Sequence, residues 1–480
     1  MTLTPRQMTP EPQRRVVLSM LACAVLLGLA TTVVDLSIPA FLWALAAVAL
    51  STRLLDGWQL GFITLLVLLI GAESSQWSTL IPEAAPFTAA AILLVYAAVT
   101  STAGPVRNSR HRSFTLLLCC FAAYSACSAI WSIDPLHSLK QVVAAVAVIG
   151  VPLLASHHRW VYRELMAGDI RLLYWVLSGG ITLGLVLPTA TGSGRVSGLF
   201  PSANSFASIA AMAFALGLGV AGIGRLRRVY LLTQTILAAA IVASGSRTGV
   251  VALAVALAWW ASRSQLFSRE RWKATASAVL GALAIILVLQ AWQPVAIAQL
   301  TERFDPTRTR SLSYLSSRED TWEIGAAYWA ERPLFGHGYR VGEVLFEQEA
   351  GGELIGSIRA RTTHNGFLQV LLESGVTGLA LVVGAIAVAV CSRGPTDGSD
   401  RRLWLSTSAA LVAGLATQWT RSSILGVGSV FCITFWATCC ATITLARNRA
   451  AIPAASVRSA GETATGEADD RIGDLLPRRQ

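Results

Sequence analysis

The stretch FTLLLCCFAAYSACSAIW, residues 114–131, carries no charged side chain anywhere along its length. Wound as an α-helix at ~1.5 Å per residue it reaches about 27 Å, close to the ~30 Å of a bilayer's hydrocarbon core. That match makes lipid the solvent of this segment. Comparable runs begin at Val16 (VVLSMLACAVLLGLATTVV) and at Leu425 (LGVGSVFCITFWATCCATITL), and short polar loops separate such runs. About fourteen blocks of this kind, give or take two, lie along the chain. With 54% hydrophobic and only 14% charged residues, the chain cannot offer water an ordinary surface. The expected fold is all-α, a polytopic membrane bundle of about 12–14 transmembrane helices with a long, partly helical extracytoplasmic loop.

Lysine and arginine fall in alternate loops, which the positive-inside rule assigns to the cytoplasm. Arg14 and Arg15, Arg53, the RNSRHR run from Arg107, Arg225 and the SRSQLFSRERWK run from Ser262 share that side. The intervening loops at Thr189–Asn204, Ser244–Gly249 and residues 293–364 then face outward, and both termini are cytoplasmic. Topology accounts for the net charge of +11, so no nucleic-acid partner is called for. All eight cysteines lie in or at the ends of apolar blocks, which leaves neither an external disulfide framework nor a zinc ribbon. The expected organisation is a short cytoplasmic lead at 1–15, a membrane domain at 16–445 and a disordered cytoplasmic tail at 446–480.

Loops as long as 293–364 are usually functional or disordered, and this one has helix signals. Ser316 with Glu319 fits a capping box, and Pro333 ends the pattern. Trp322, Tyr328 and Trp329 suit a face lying on the membrane interface as well as they suit a ligand. The EQEAGGELIGS run from Glu347 reads as a mobile cover.

Four basic residues stand out on the outward side: Arg195, Arg247, Arg318 and His364. Each precedes or opens an expected helix, with N-cap candidates at Ser202 or Asn204, Ser246 or Thr248, Ser316 and Thr363. A helix N-terminus favours an anion, and arginine adds a charged, bidentate fork that fits phosphate oxygens. At ~1.5–3 kcal/mol per charge-assisted hydrogen bond, three arginines would stabilise a diphosphate leaving group without a metal. Each arginine taken alone also fits a snorkelling side chain, and His364 also fits a capping or packing role. A neutral imidazole at a helix N-terminus is a good proton acceptor, with Glu319, Asp320 and Glu373 as competing bases. His337, in FGHGY, is either a second site histidine or a turn residue.

The ordered set RVSGLFPSANSFA, SGSRTGVVALAV, SSREDTWEIGAAYWAERPLFGHGY and THNGFLQVLLESGVTGLAL resembles the bacterial O-antigen ligase and polysaccharide polymerase superfamily. WSIDPLHSLK, from Trp131, is similar to that family too, so the resemblance spans residues 131–390. It implies an inverting, metal-independent and cofactor-free glycosyltransferase of the inner (cytoplasmic) membrane. The implied donor is a glycan on a polyprenyl (undecaprenyl) diphosphate, and the acceptor is a hydroxyl of a glycan or lipid-glycan on the outer face. Membrane lipids and envelope polysaccharide assembly proteins are the further implied partners. Carried over, diphosphate binding falls on Arg195, Arg247 and Arg318, and catalysis on His364 with Arg318. Glu319, His337 and Glu373 are secondary candidates. A transporter or flippase of a lipid-linked or anionic precursor is the alternative, but such proteins usually place ionisable groups near the midplane, often with repeat symmetry.

Overall fold

The computed structural model describes residues 57–73, 85–100, 109–160, 162–186, 195–220, 227–264, 313–349, 362–396, 398–419, 421–426 and 429–447. The lead, the block from Val16, residues 293–312, the expected cover from residue 350 onward and the tail from 448 lie outside them, while residues 347–349 of the expected cover are helical. Among the described residues are thirteen α-helices and no β-strand. These are α1 (Gly57–Glu73), α2 (Ala85–Thr100), α3 (Ser109–Cys127), α4 (Pro135–Leu154), α5 (Arg163–Val186), α6 (Ala203–Val220) and α7 (Arg227–Ala243). They continue with α8 (Arg247–Arg263), α9 (Ser313–Glu331), α10 (Gly342–Glu349), α11 (Gly366–Val390), α12 (Gly398–Thr417) and α13 (Val430–Arg447).

Three helical segments among the described residues are long and apolar enough to cross a bilayer: Ser109–Ile130, Pro135–Arg159 and Gly366–Val390. Five further apolar helices run 10–17 residues, so the chain is an α-helical integral membrane protein. Small side chains set how closely the central helices pack. α6 is alanine-rich and buried from Phe206 through Ala213, and Gly249 of α8 lies where a Cβ would collide with the Cβ of Ala207. α12 and α13 close the core with Trp404, Phe435 and Trp436.

Helix directions follow from two contacts. Arg401, near the start of α12, donates to the Arg263 carbonyl at the end of α8 over 2.8 Å, and the Trp259 indole donates to Ser408 Oγ over 3.1 Å. The two helices are therefore antiparallel, and the start of α8 shares an end of the bundle with the finish of α12. The start of α11 joins them there, because Gly366 N donates to Gln418 O over 2.8 Å. The turn before α8, the loop after α12 and the entry to α11 thus occupy one end.

α11 is broken at Gly375, whose backbone (φ 61°, ψ −169°) interrupts the hydrogen-bond ladder. In a span, freed peptide groups need protein partners, since lipid supplies none. The loop between α9 and α10 provides them. Its His337 N and Gly338 N donate to Leu372 O (3.1 Å) and Glu373 O (3.0 Å), while Val376 N donates to Pro333 O over 2.8 Å. The Tyr124 hydroxyl of α3 clamps the joint from the side, within hydrogen-bond reach of Phe335 O (3.0 Å) and Ser374 O (2.9 Å).

The same loop is held on its other face by residues 131–138. Ile133 N donates to His337 O (3.3 Å), Arg332 Nη1 to Trp131 O (3.1 Å) and Ser138 Oγ to Tyr339 O (2.9 Å). WSIDPLHS and PLFGHGYR are therefore two halves of one brace around the α11 break. Gly336 permits that contact: its φ is +69°, and a Cβ there would stand 2.5 Å from the backbone C and O of Glu373. Left-handed backbone costs an ordinary residue about 1–2 kcal/mol before any clash. Gly336→Ala is expected to destabilise the protein by more than that cost, read as a fall of several degrees in the melting temperature of detergent-purified protein. An unchanged melting temperature would contradict the brace.

Candidate active site

The first cluster forms where the loop before α6 meets the turn before α8. Ser202 caps α6 through Ser205 N (3.1 Å), and Ser246, with extended backbone, caps α8 by accepting from Gly249 N (3.2 Å). Arg195 ties the two caps together. Its Nε donates to Ser244 O over 3.0 Å and its Nη2 to Asn204 Oδ1 over 3.1 Å, and the same Oδ1 accepts from Ser246 Oγ at 2.8 Å. Arg247, the first residue of α8, stands exposed beside this joint. Arg195 and Arg247 are therefore placed at two joined helix N-termini, where positive dipole ends and guanidinium groups favour an anion.

The second cluster is the entry to α11. Thr363 was the expected cap; Asn365 is the actual one. The Asn365 backbone is extended (φ −136°), and its Oδ1 accepts from Phe367 N (3.0 Å) and Leu368 N (3.2 Å). Thr363 braces the turn instead, with its Oγ1 2.8 Å from Asn365 O and 3.1 Å from Gln369 Oε1. Between them His364 adopts φ +51°, a left-handed conformation that is uncommon away from glycine, and its side chain is exposed. Antiparallel packing of α8 and α12 puts this cluster and the arginine pair at the same end of the bundle.

Arg318 and Glu319 lie within α9, because Ser313 through Ser316 are already helical and Ser316 is not its cap. The SLSYLSS run offers several serines of equal capping propensity, so the earlier start was not readable from residue type. α9 reaches the second cluster through Gly325, where a Cβ would stand 2.8 Å from Thr363 Cγ2. Arg318 is seven residues, about two turns, before that contact. Tyr328, Ile324 and Leu372 form a small core with Val341, Leu345 and Phe346, which fastens α9 and α10 onto α11.

His337 and Glu373 are both buried. His337 Nε2 is 2.7 Å from Tyr328 O, with the Tyr328 ring edge-on at 5.7 Å between centroids. The Glu373 carboxylate accepts from Gln369 Nε2 and from the backbone N–H groups of Arg340 and Gly342, with the Arg340 charge nearby. These are the partners that make a carboxylate tolerable at this depth. Burial pushes the adjacent Tyr339 phenol well up from its ordinary value.

Two features had no signal in the pattern of residues. Arg340 adopts φ +61° directly beneath this cluster, with its Nε buried and unpartnered, and Gln369 links the two loops. Strained backbone and tertiary hydrogen bonds are invisible to residue type and spacing.

A search of the curated proteins finds no match for this chain. A family model described as O-antigen ligase matches residues 232–383, which takes in Arg247, Arg318, His337, His364 and Glu373, while Arg195 and the 131–138 loop precede it. Over those residues, about a third of the chain, the protein is similar to the O-antigen ligase family.

Proposed function

We propose that the protein transfers a glycan from a polyprenyl diphosphate carrier to a sugar hydroxyl at the outer face of the cytoplasmic membrane. Residues 16–445 form the catalytic membrane domain in this reading, with both termini in the cytoplasm. The observation that carries it is the Arg195–Asn204–Ser246 junction, which sets two arginines at paired helix N-termini beside the family-matched segment. His364 takes the proton of the acceptor hydroxyl as its oxygen attacks the anomeric carbon. The bond from that carbon to the diphosphate oxygen breaks, and its electron pair leaves with the diphosphate. Arg195, Arg247 and Arg318 stabilise the charge that develops there, so a metal is not required for that task. Displacement from the opposite face inverts the anomeric centre. His337 and Glu373 hold the brace, and Glu319 stays outside the chemical step.

Deleting the gene tests this reading and sorts its two forms. Carrier-linked glycan is expected to accumulate, as long chains for a ligase whose acceptor is a terminal anchor, or as single repeat units for a polymerase. Carrier-linked glycans unchanged from wild type would contradict both forms.

A further inference from the structure

His364 sits in left-handed backbone at an exposed position, and such a conformation persists only where its surroundings impose it. The surroundings here are a continuous buried chain of hydrogen bonds. Glu373, anchored by the Arg340 and Gly342 amides, accepts from Gln369 Nε2. The other end of the same side chain, Gln369 Oε1, accepts from Thr363 N and lies 3.1 Å from Thr363 Oγ1. Thr363 Oγ1 in turn reaches across His364 to the next residue: Asn365 N, on the peptide that follows the histidine, donates to it at 3.3 Å, and it lies 2.8 Å from Asn365 O. All four side chains, Glu373, Gln369, Thr363 and Asn365, are buried, at 9% exposure or less.

We infer that Thr363, Gln369 and Glu373 are positioning residues that fix the direction of the His364 ring, and that the brace around Gly375 sets that direction through them. A simple cap would need only Asn365, which already satisfies Phe367 N and Leu368 N alone. The Thr363 hydroxyl satisfies none of the free amides of the helix end; the one amide it accepts from is Asn365 N, on the peptide that follows the histidine. Gln369 has a specific reason to be an amide: one end must donate to a carboxylate while the other accepts from Thr363, and neither Glu nor Leu does both. The inference rests on the reading of His364 as the proton acceptor, and its test separates the two.

The test compares Thr363→Val, Thr363→Ser, Gln369→Met and His364→Ala in purified full-length protein, with a synthetic polyprenyl-diphosphate-linked repeat unit as donor. Thr363→Val, which keeps the shape and loses the hydroxyl, is expected to lower kcat at least 20-fold with the donor KM within twofold. Thr363→Ser is expected to stay within threefold of wild type. Gln369→Met, which leaves position 363 intact, is expected to follow Thr363→Val, and it carries the test should that variant fail to accumulate in membranes. A kcat within threefold of wild type in the variant that does accumulate would overturn the inference, as would Thr363→Ser falling as far as Thr363→Val, or a loss confined to KM. Should His364→Ala keep wild-type kcat, the base assignment itself falls, whatever the other three show.

Discussion

His364→Ala is expected to lower glycan transfer by about 10²–10⁴-fold, the usual contribution of a positioned general acid or base. The loss should appear in kcat with little change in donor KM, because the imidazole engages the acceptor proton only as the new bond forms. Three observations support placing the base here. The side chain is exposed while the loop that carries it is buried and hydrogen-bonded on both sides. Two other described histidines of this region are engaged by backbone carbonyls: His337 is buried with its Nε2 2.7 Å from Tyr328 O, and His137 Nε2 is 3.1 Å from Arg340 O. Glu373, the competing carboxylate, is buried and already accepts from Gln369 and two backbone amides. Membrane abundance should be unchanged, since the residue is exposed. Wild-type transfer in this variant would remove His364 from the mechanism.

Arg247→Ala should have the second largest effect. A guanidinium that makes two charge-assisted hydrogen bonds to a diphosphate contributes about 1.5–3 kcal/mol through each, so its removal should cost on the order of 10²–10⁴-fold in kcat/KM. Arg247→Lys is the sharper variant. It keeps the charge but lacks the planar fork, so it should recover less than a tenth of wild-type activity. Arg247 is suited to this comparison because it is exposed at the first position of α8, whereas Arg195 also carries the joint between Ser244 and Asn204. Loss in an Arg195 variant would mix structure with binding. Equal activity of Arg247→Lys and wild type would show that a point charge suffices and would weaken the diphosphate assignment.

The membrane character of the chain was legible because it is local: an uncharged run such as residues 114–131 declares its solvent without reference to any other segment. The start of α8 was legible only as a pair, Ser246 or Thr248, of which Ser246 is the cap. Candidates crowded together elsewhere too. Thr363 and Asn365 both have capping propensity, and the choice between them is made by Gln369, six residues after Thr363, which engages the threonine and leaves the asparagine for the helix end. Ser316 lost to an earlier start for the same reason, several serines in succession. The brace was legible only as a set of motifs in order. WSIDPLHS and PLFGHGYR lie about two hundred residues apart, and nothing in either announces that the first holds the second against a broken helix. Likewise, Arg195 and Arg247 were readable as cations at expected helix starts, but the joining of Arg195 to Ser246 through Asn204 is a tertiary fact.

The most direct measurement of the central claim uses the purified full-length protein in proteoliposomes, given a polyprenyl-diphosphate-linked glycan and a glycan acceptor. The readout is free polyprenyl diphosphate formed together with extended acceptor. The account predicts that both products appear in equal amounts with wild-type protein and that both vanish together in His364→Ala and Arg247→Ala. Donor that crosses the bilayer intact, with its bond to the carrier unbroken, would show a transporter and contradict the account.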